Sequence, residues 1–371
     1  MDREDILYWL REEDEKRLEA LWEWANTVRK EEVGDEVHLR GLIEISNHCV
    51  RQCGYCGLRC GHQNLERYRM DEEEILSCVG DAVKYGYGTV VLQSGEDYGI
   101  EAEWFANVIR RIKGETQLAV TLSLGERPDE DFETWRRAGA DRYLLRFETS
   151  DPDLYRFIHP SLSGKPSDRL VILQTLKKLG YEIGSGVMIG LPGQTYKSLV
   201  EDIELFGKLD LDMIGVGPYL AHPATPLGRG EWKRTIPEED QVPNTEQMTY
   251  KVMALARIVC PEANIPSTTA LATVNREQGR ELGLMRGANV VMPNLTPMSY
   301  RAKYEIYPEK ACIRELPSDC HSCLHHRIQA IGRKVGTGQG HRIGRQPFSL
   351  SLPFDREREK TKNLLNHERR Y

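Results

Sequence analysis

Eight apolar runs, alternating with segments of helical period, limit the architectures open to this chain more than any other feature. The runs are HLRGLIEIS (38–46), TVVLQSG (89–95), QLAVTLSLG (117–125), RYLLRFET (142–149), EIGSGVMIGLP (182–192), MIGVGPYL (213–220), NIPSTTA (264–270) and NVVMPN (289–294). Between them lie helix candidates over 71–86, 102–114, 169–180, 197–209 and 245–259. Several begin near Asp, Ser or Thr and end in Gly, as helix caps require. Strands rich in Val, Ile, Leu and Tyr that alternate with helices are the mark of βα units and a parallel sheet. Eight such units in about 255 residues match the size and order of a (β/α)8 TIM-type barrel, so the fold class is read as α/β. An open doubly wound sheet would place a Gly-rich phosphate turn directly after its first strand. Here the first strand runs into cysteines instead.

The flanks complete the organisation. A helical segment is expected over 1–32, the barrel over 33–300, a cysteine-containing segment closing the barrel over 301–343, and a charged tail over 344–371. The tail, GRQPFSLSLPFDREREKTKNLLNHERRY, reads as a mobile or surface-docked C-terminal extension. The N-terminal MDREDILYWLREEDEKRLEALWEW is charged and amphipathic, unlike a signal peptide, and no run reaches the ~18 apolar residues of a membrane span. A net charge of -7 argues against a chain that holds nucleic acid by neutralising phosphates. We therefore expect a cytoplasmic protein with neither a nucleic-acid nor a membrane partner, and a monomer needs no special assumption. In a reducing compartment nine cysteines are not a disulfide framework, and close spacing turns the reading toward metal binding or redox work.

Four of those cysteines fall in SNHCVRQCGYCGLRC (46–60), and Cys49, Cys53 and Cys56 have the spacing C-x3-C-x2-C. A structural zinc site closes with four protein ligands, which Cys60 or His62 would have to complete. An iron–sulfur cube held by three cysteines instead leaves one iron open, and an open position is what a reactive metal site needs. A second set, Cys312, Cys320 and Cys323 in ACIRELPSDCHSCLHHR, has a close pair that points to another metal site. His321, His325 and His326 are candidate fourth ligands there, and zinc is the competing metal. Cys60, Cys78 and Cys260 read as bystanders, the latter two as small hydrophobes on helices. Polar residues gather at the C-terminal ends of the predicted strands, among them Ser46, Asn47, Gln93, Ser94, Thr121, Ser123, Arg146, Glu148, Thr149, His222, Thr268 and Thr269. In a barrel that rim carries the site.

A C-x3-C-x2-C loop with Tyr55 before its last cysteine, placed after the first strand of a (β/α)8 pattern, resembles the radical S-adenosylmethionine (SAM) enzymes. The resemblance implies a [4Fe-4S] cluster on Cys49, Cys53 and Cys56. The amino and carboxylate groups of SAM would complete it, and SAM cleavage would yield a 5′-deoxyadenosyl radical. Glu148 and Arg169 would then hold the two ends of the methionyl group, a role that suits a carboxylate and a forked guanidinium. Gln93 and Ser123 are the nearby hydrogen-bond formers, Tyr55 the adenine-side aromatic, and Met188 a wall against the adenosyl group.

Within that family, stretches such as VHLRGLIEISNHCVRQCGYCGLR, VVLQSGED, ADRYLLRFET, LKKLGYEIGSGVMIGLPGQT, DMIGVGPYLAHPATPL and GANVVMPNLTP resemble the [FeFe]-hydrogenase maturases over most of residues 33–340. That likeness implies an organometallic substrate, an iron–cysteine complex bearing CO and cyanide. It also implies companion maturases and a reductant such as ferredoxin or flavodoxin. Cys312, Cys320 and Cys323 resemble the accessory position of a second iron–sulfur cluster, [2Fe-2S] or [4Fe-4S]. Arg40, Arg142, Met213, Thr268, Thr269, Met292 and Tyr304 are expected to line the substrate pocket at the barrel mouth. The alternatives are a related enzyme of the methylornithine synthase and biotin synthase group, acting on a small amino-acid or thiol substrate, and a non-catalytic metal-binding protein.

Overall fold

Parallel strands need crossover connections, and the helical segments supply them on the outside of a curled sheet. The computed structural model describes residues 1–163 and 168–344. Its strands are β1 (Glu36–Ser46), β2 (Thr89–Ser94), β3 (Ala119–Ser123), β4 (Arg142–Leu144), β5 (Glu182–Ile189), β6 (Met213–Pro218), β7 (Val290–Val291) and β8 (Lys334–Val335). The sheet order is β6-β5-β4-β3-β2-β1-β7, all neighbours parallel. Residues 264–266 span the gap between β6 and β7, with Asn264 bridged to Met213 and Pro266 to Val290. Main-chain bonds from Ile214 N to Asn264 O (3.0 Å) and from Asn289 N to Ile265 O (2.9 Å) draw the ring together there.

The seventh run is therefore shorter than the predicted strand over 264–270. Pro266 has no N–H for a ladder, and Thr268 turns to cap the following helix, where its Oγ1 accepts from Leu271 N.

Helices α1 (Arg3–Arg11) and α2 (Glu15–Val33) precede the barrel. The rest are α3 (Glu72–Lys84), α4 (Ala102–Glu115), α5 (Asp129–Ala138), α6 (Pro152–Ile158), α7 (Arg169–Lys178), α8 (Tyr196–Leu209), α9 (Glu246–Val259), α10 (Thr269–Val274), α11 (Gly279–Met285), α12 (Met298–Arg301) and α13 (Pro317–Ala330). Several of them lay an apolar stripe on the sheet. In α4 the stripe is Phe105, Val108, Ile109 and Ile112, spaced for one face and fully buried. Asp2 and Asp5 close a capping box on α1, and its end is tied down by Lys251 of α9, which donates to Leu10 O (3.2 Å) and pairs with Glu13 (2.8 Å). Among the described residues no helix is long and apolar enough to cross a membrane.

The C-terminal segment seals the N-terminal end of the barrel. β8 pairs with Glu36 and Val37 at the start of β1, and the chain then crosses the base. Gln339 O accepts from Thr89 Oγ1 and Arg142 Nη2 (both 2.8 Å), and Gly340 O accepts from Arg40 Nη2 (2.9 Å). His341 Nδ1 lies 2.6 Å from Glu182 Oε1, and Arg142 Nε donates to Glu182 Oε2 at 2.6 Å. Arg40 Nη1 meets Met213 Sδ at 3.0 Å.

These contacts correct one expectation. Arg40, Arg142 and Met213 stand at the base, not at the mouth, because they sit low on β1 and at the first residues of β4 and β6. Arg40 lies six residues below Ser46 on β1, which is about 20 Å of strand. Of the charged tail, residues 345–371 lie outside the described residues.

Candidate metal and cofactor site at the barrel mouth

The chain leaves β1 at Ser46 and forms a tight loop across the C-terminal end of the barrel. Three other parts of the fold hold it. Val50 N donates to Glu96 O beyond β2 (3.0 Å), Gly54 N to Ile158 O at the end of α6 (2.8 Å), and Gly57 N to Ile306 O (3.0 Å). Arg67 adds bonds to the carbonyls of Asn47 (2.5 Å), Leu58 and Arg59 (both 2.8 Å). Glycine is required where these elements meet. A Cβ on Gly57 would fall 2.2 Å from Glu305 O, and one on Gly95 would fall 2.3 Å from His48 O and 2.9 Å from Cys49 Cβ. Local sequence thus presses the loop against its neighbours and leaves Cys49 and Cys56 half-buried and Cys53 buried.

Burial pushes all three thiols up. Cys49 is raised, Cys56 reaches about 12 with Cys49 adding to the effect, and Cys53 is raised further by Cys49 and Cys56 beside it. Cysteines whose charges reach Cys53 and Cys56 in this way lie close together, and strong positive charge would be needed to hold them as thiolates. An iron cluster supplies that charge, so the donor set fits one. Among the described residues no three His, Cys, Asp or Glu side chains converge as the ligands of a single ion would. Cys60 is exposed, its N–H bonded to Arg51 O at 2.8 Å.

Behind the loop lies a buried ionic network that sequence reading missed. Arg51 donates to Glu96 (2.7 Å) and Glu126 (2.6 Å), and Arg169 Nε donates to Glu126 Oε1 at 2.9 Å. Arg169 Nη1 also donates to Arg146 O (2.5 Å), so this guanidinium is anchored by the protein at the mouth. His159 joins the network between Glu126 and Cys53. Burial, with Arg169 facing it, lowers the imidazole to about 4.

Glu148 is the clearest polar group aimed into the mouth. Its backbone has φ 63, an uncommon conformation for a residue with a Cβ, and it is buried. Such strain persists only where the surroundings impose it. Its Oε2 has no hydrogen bond, although Arg146 Nη2 stands 3.2 Å away without the alignment for one. A buried carboxylate oxygen that is ion-paired but accepts no hydrogen bond fits the ammonium end of an amino-acid ligand. An apolar wall stands beside it, in which Tyr55, Phe157 and Trp232 pack on Met188, Leu154, Ile158, Leu191, Tyr219 and Leu227.

The remaining predicted residues divide. Gln93, next to the end of β2, pairs with Ser123 at the end of β3, and Gln93 Nε2 donates to the buried Tyr304 OH at 3.2 Å. Thr268 lies beside Gly217 of β6, where a Cβ would approach its Oγ1 to 3.3 Å. Thr269 opens α10, and Met292, half-buried, follows β7 by one residue. Also missed were Glu44 on β1 and Lys310, a buried ion pair level with Gln93. Asn294 Nδ2 donates to the second Glu44 oxygen at 3.0 Å. The signal was present in GLIEIS, since a carboxylate inside an apolar strand must find a partner.

The second cysteine group is only partly assembled. Cys312 has φ 64 and accepts from Arg280 Nη2 at 3.2 Å. A bond with the Cys320 thiol, together with Arg280, holds Cys312 low, while that same bond and burial drive Cys320 up. Cys323 lies one turn further along α13 and is exposed. His321 stacks on Tyr85 with ring centroids 4.9 Å apart. Cys78 is buried on α3, and Cys260 caps the end of α9.

Comparison with known proteins agrees with this geometry. The family model for the Radical SAM superfamily matches residues 43–206, from within β1 into α8. The sequence is 46% identical over 324 residues to the [FeFe] hydrogenase maturase subunit HydE of Thermotoga maritima, covering 87% of this chain and 89% of that one. It is 28% identical over 307 residues to a 3-methylornithine synthase of Methanosarcina acetivorans, covering 81% and 83%. The crystal structure of methylornithine synthase (PylB) matches with a TM-score of 0.76 at 25% identity, over 90% of this chain and 94% of that one.

Proposed function

This chain belongs to the radical SAM superfamily, and from that premise we propose that it is a hydrogenase-maturation enzyme of the HydE kind. The family implies a [4Fe-4S] cluster and SAM, and we assign the cluster to Cys49, Cys53 and Cys56. When bound, the cluster supplies the electron that cleaves the SAM sulfonium to methionine and a 5′-deoxyadenosyl radical.

The chain's own residues do the positioning. Glu148 Oε2 receives the ammonium of the methionyl group, and the anchored Arg169 faces its carboxylate. Gln93 and Ser123 offer hydrogen bonds at the strand ends, while Tyr55 and Met188 shape an apolar wall for the adenosyl side. Thr268, Thr269, Met292 and Tyr304 lie toward the substrate. That substrate is a small iron complex of the type a maturase would process, and the C-terminal strap keeps water from the base of the barrel.

Cys312, Cys320 and Cys323 serve as an accessory iron–sulfur position. Companion maturases and a ferredoxin- or flavodoxin-type reductant complete the system, in the cytoplasm, with the enzyme acting as a monomer.

One observation carries this reading: three thiols raised by burial on a glycine-tight loop, Cys53 and Cys56 further so by their cysteine neighbours, facing a buried carboxylate oxygen without a hydrogen bond. Anaerobically reconstituted protein is expected to hold about four irons at this loop and, with dithionite, to release 5′-deoxyadenosine from SAM. Cys56→Ala should abolish that release. Cleavage that survives the substitution defeats the assignment, and iron or zinc bound without any cleavage returns the chain to the non-catalytic class.

A further inference from the structure

His159 caps the C-terminus of α6, one residue past Ile158, whose carbonyl holds the cysteine loop through Gly54 N. Its ring is fully buried. Nδ1 lies 3.0 Å from Cys53 Sγ. On the opposite side, Nε2 is 3.3 Å from Arg169 Nη2 and 3.3 Å from Glu126 Oε1.

These two neighbours demand opposite tautomers. Arginine only donates, so a bond from Arg169 requires a lone pair on Nε2. A carboxylate only accepts, so a bond to Glu126 requires a proton there. The sulfur decides between them. A thiolate that ligates a metal has no proton and can only accept, so an imidazole lone pair facing it would be repelled. A proton on Nδ1 lets the ring donate to that sulfur. Arg169 donates to Nε2, Glu126 receives Arg169 Nε and Arg51 Nη2, and Nδ1–H points at Cys53. The ring is held from behind by Arg169 and Glu126, and Arg51 in turn holds Glu126.

We propose that His159 is a positioning residue that donates an Nδ1–H···S hydrogen bond to Cys53 and thereby makes the cluster easier to reduce. The proposal rests on the assignment of the cluster to Cys49, Cys53 and Cys56. Reduction adds negative charge to the cluster and its sulfurs, so a donor to one sulfur favours the reduced state. Hydrogen bonds to the sulfurs are among the factors that set such potentials.

The test compares reconstituted wild type, His159→Leu and His159→Asn in redox titrations followed by EPR. The Asn amide nitrogen stands near the place of Nδ1 and keeps a donor, whereas Leu removes it. In His159→Leu the ratio of reduced to oxidised cluster at a fixed potential should fall about tenfold, which is 59 mV for a one-electron couple. His159→Asn should stay within about threefold of wild type. A Leu variant with the wild-type potential overturns the proposal, as does an equal shift in both variants, since that would mark a merely structural role.

Where His159→Leu loads no cluster, pulsed EPR on reduced protein enriched in 15N-histidine decides. A weakly coupled 15N nucleus present in wild type and absent from His159→Asn supports the bond, and its absence from wild type overturns it. A wild-type protein that loads no cluster refutes the cluster assignment itself.

Discussion

Replacing Lys310 by Met isolates the energetics of the mouth. The Lys310 and Glu44 side chains are 4% and 1% exposed, so the ion pair is almost wholly removed from water. The substitution keeps the length and apolar stem of the side chain and deletes only the charge. Glu44 would retain the Asn294 bond and lose its cation. Breaking a buried pair from one side costs about 3–5 kcal/mol, because an uncompensated charge remains. Unfolding entropy of about 2.1 cal/mol/K per residue gives about 0.8 kcal/mol/K for 371 residues, so Tm should fall by about 4–6 °C.

The deficit comes from the uncompensated Glu44 charge and not from the shape of the new side chain. Glu44→Gln combined with Lys310→Met should recover most of the loss. Thermal and urea unfolding of the metal-free protein at pH 7 measure both variants. A single variant within about 1 kcal/mol of wild type, or a double variant as unstable as the single, would show that the pair does not act as a coupled buried charge.

Two further outcomes follow from the base and the loop. Burial works to raise the Glu182 carboxyl, but His341 and Arg142 outweigh it and hold the group at about 2. Its stabilisation is thus full above the unfolded value and is lost as pH falls toward about 2. Urea midpoints of wild type and Glu182→Gln should therefore lie far apart at pH 7 and converge in acid; a gap independent of pH refutes the ion pairing. Gly57→Ala drives a Cβ into Glu305 O and should cost about 1–3 kcal/mol and reduce iron loading, whereas Gly114→Ala on α4, with open space around it, should be neutral or stabilising. Equal iron content in the two variants would contradict the fit described for the loop.

The barrel was legible because its signal is periodic and repeated. Val-, Ile- and Leu-rich runs separated by amphipathic helices leave few arrangements, and the cysteine loop announces itself by spacing. What stayed hidden depends on depth and distance along the chain. Arg40 and Arg142 carry the same guanidinium whether they face the mouth or the base, and only strand register distinguishes the two ends. The partners that fix them, Gln339 and Gly340, lie far away in sequence and have no motif. His159 and Glu126 were invisible for the same reason, since nothing local marks a histidine at a helix end as the neighbour of a cysteine sulfur. Glu44 was readable in principle, but its partner Lys310 was not.

The strap across the barrel base has a consequence for the order in which the molecule assembles. β1 is among the first strands to leave the ribosome, yet Arg40 finds its carbonyl partner 300 residues later. Until residues 334–341 have been synthesised, the start of β1 lacks β8 and two buried arginines lack main-chain acceptors. Closure of the base is therefore a long-range contact that cannot form until the barrel strands have been translated, the kind of closure whose cost is set by loop entropy. Chains interrupted before that point would expose cationic groups at an open barrel end, giving quality-control machinery a chemical mark of incompleteness.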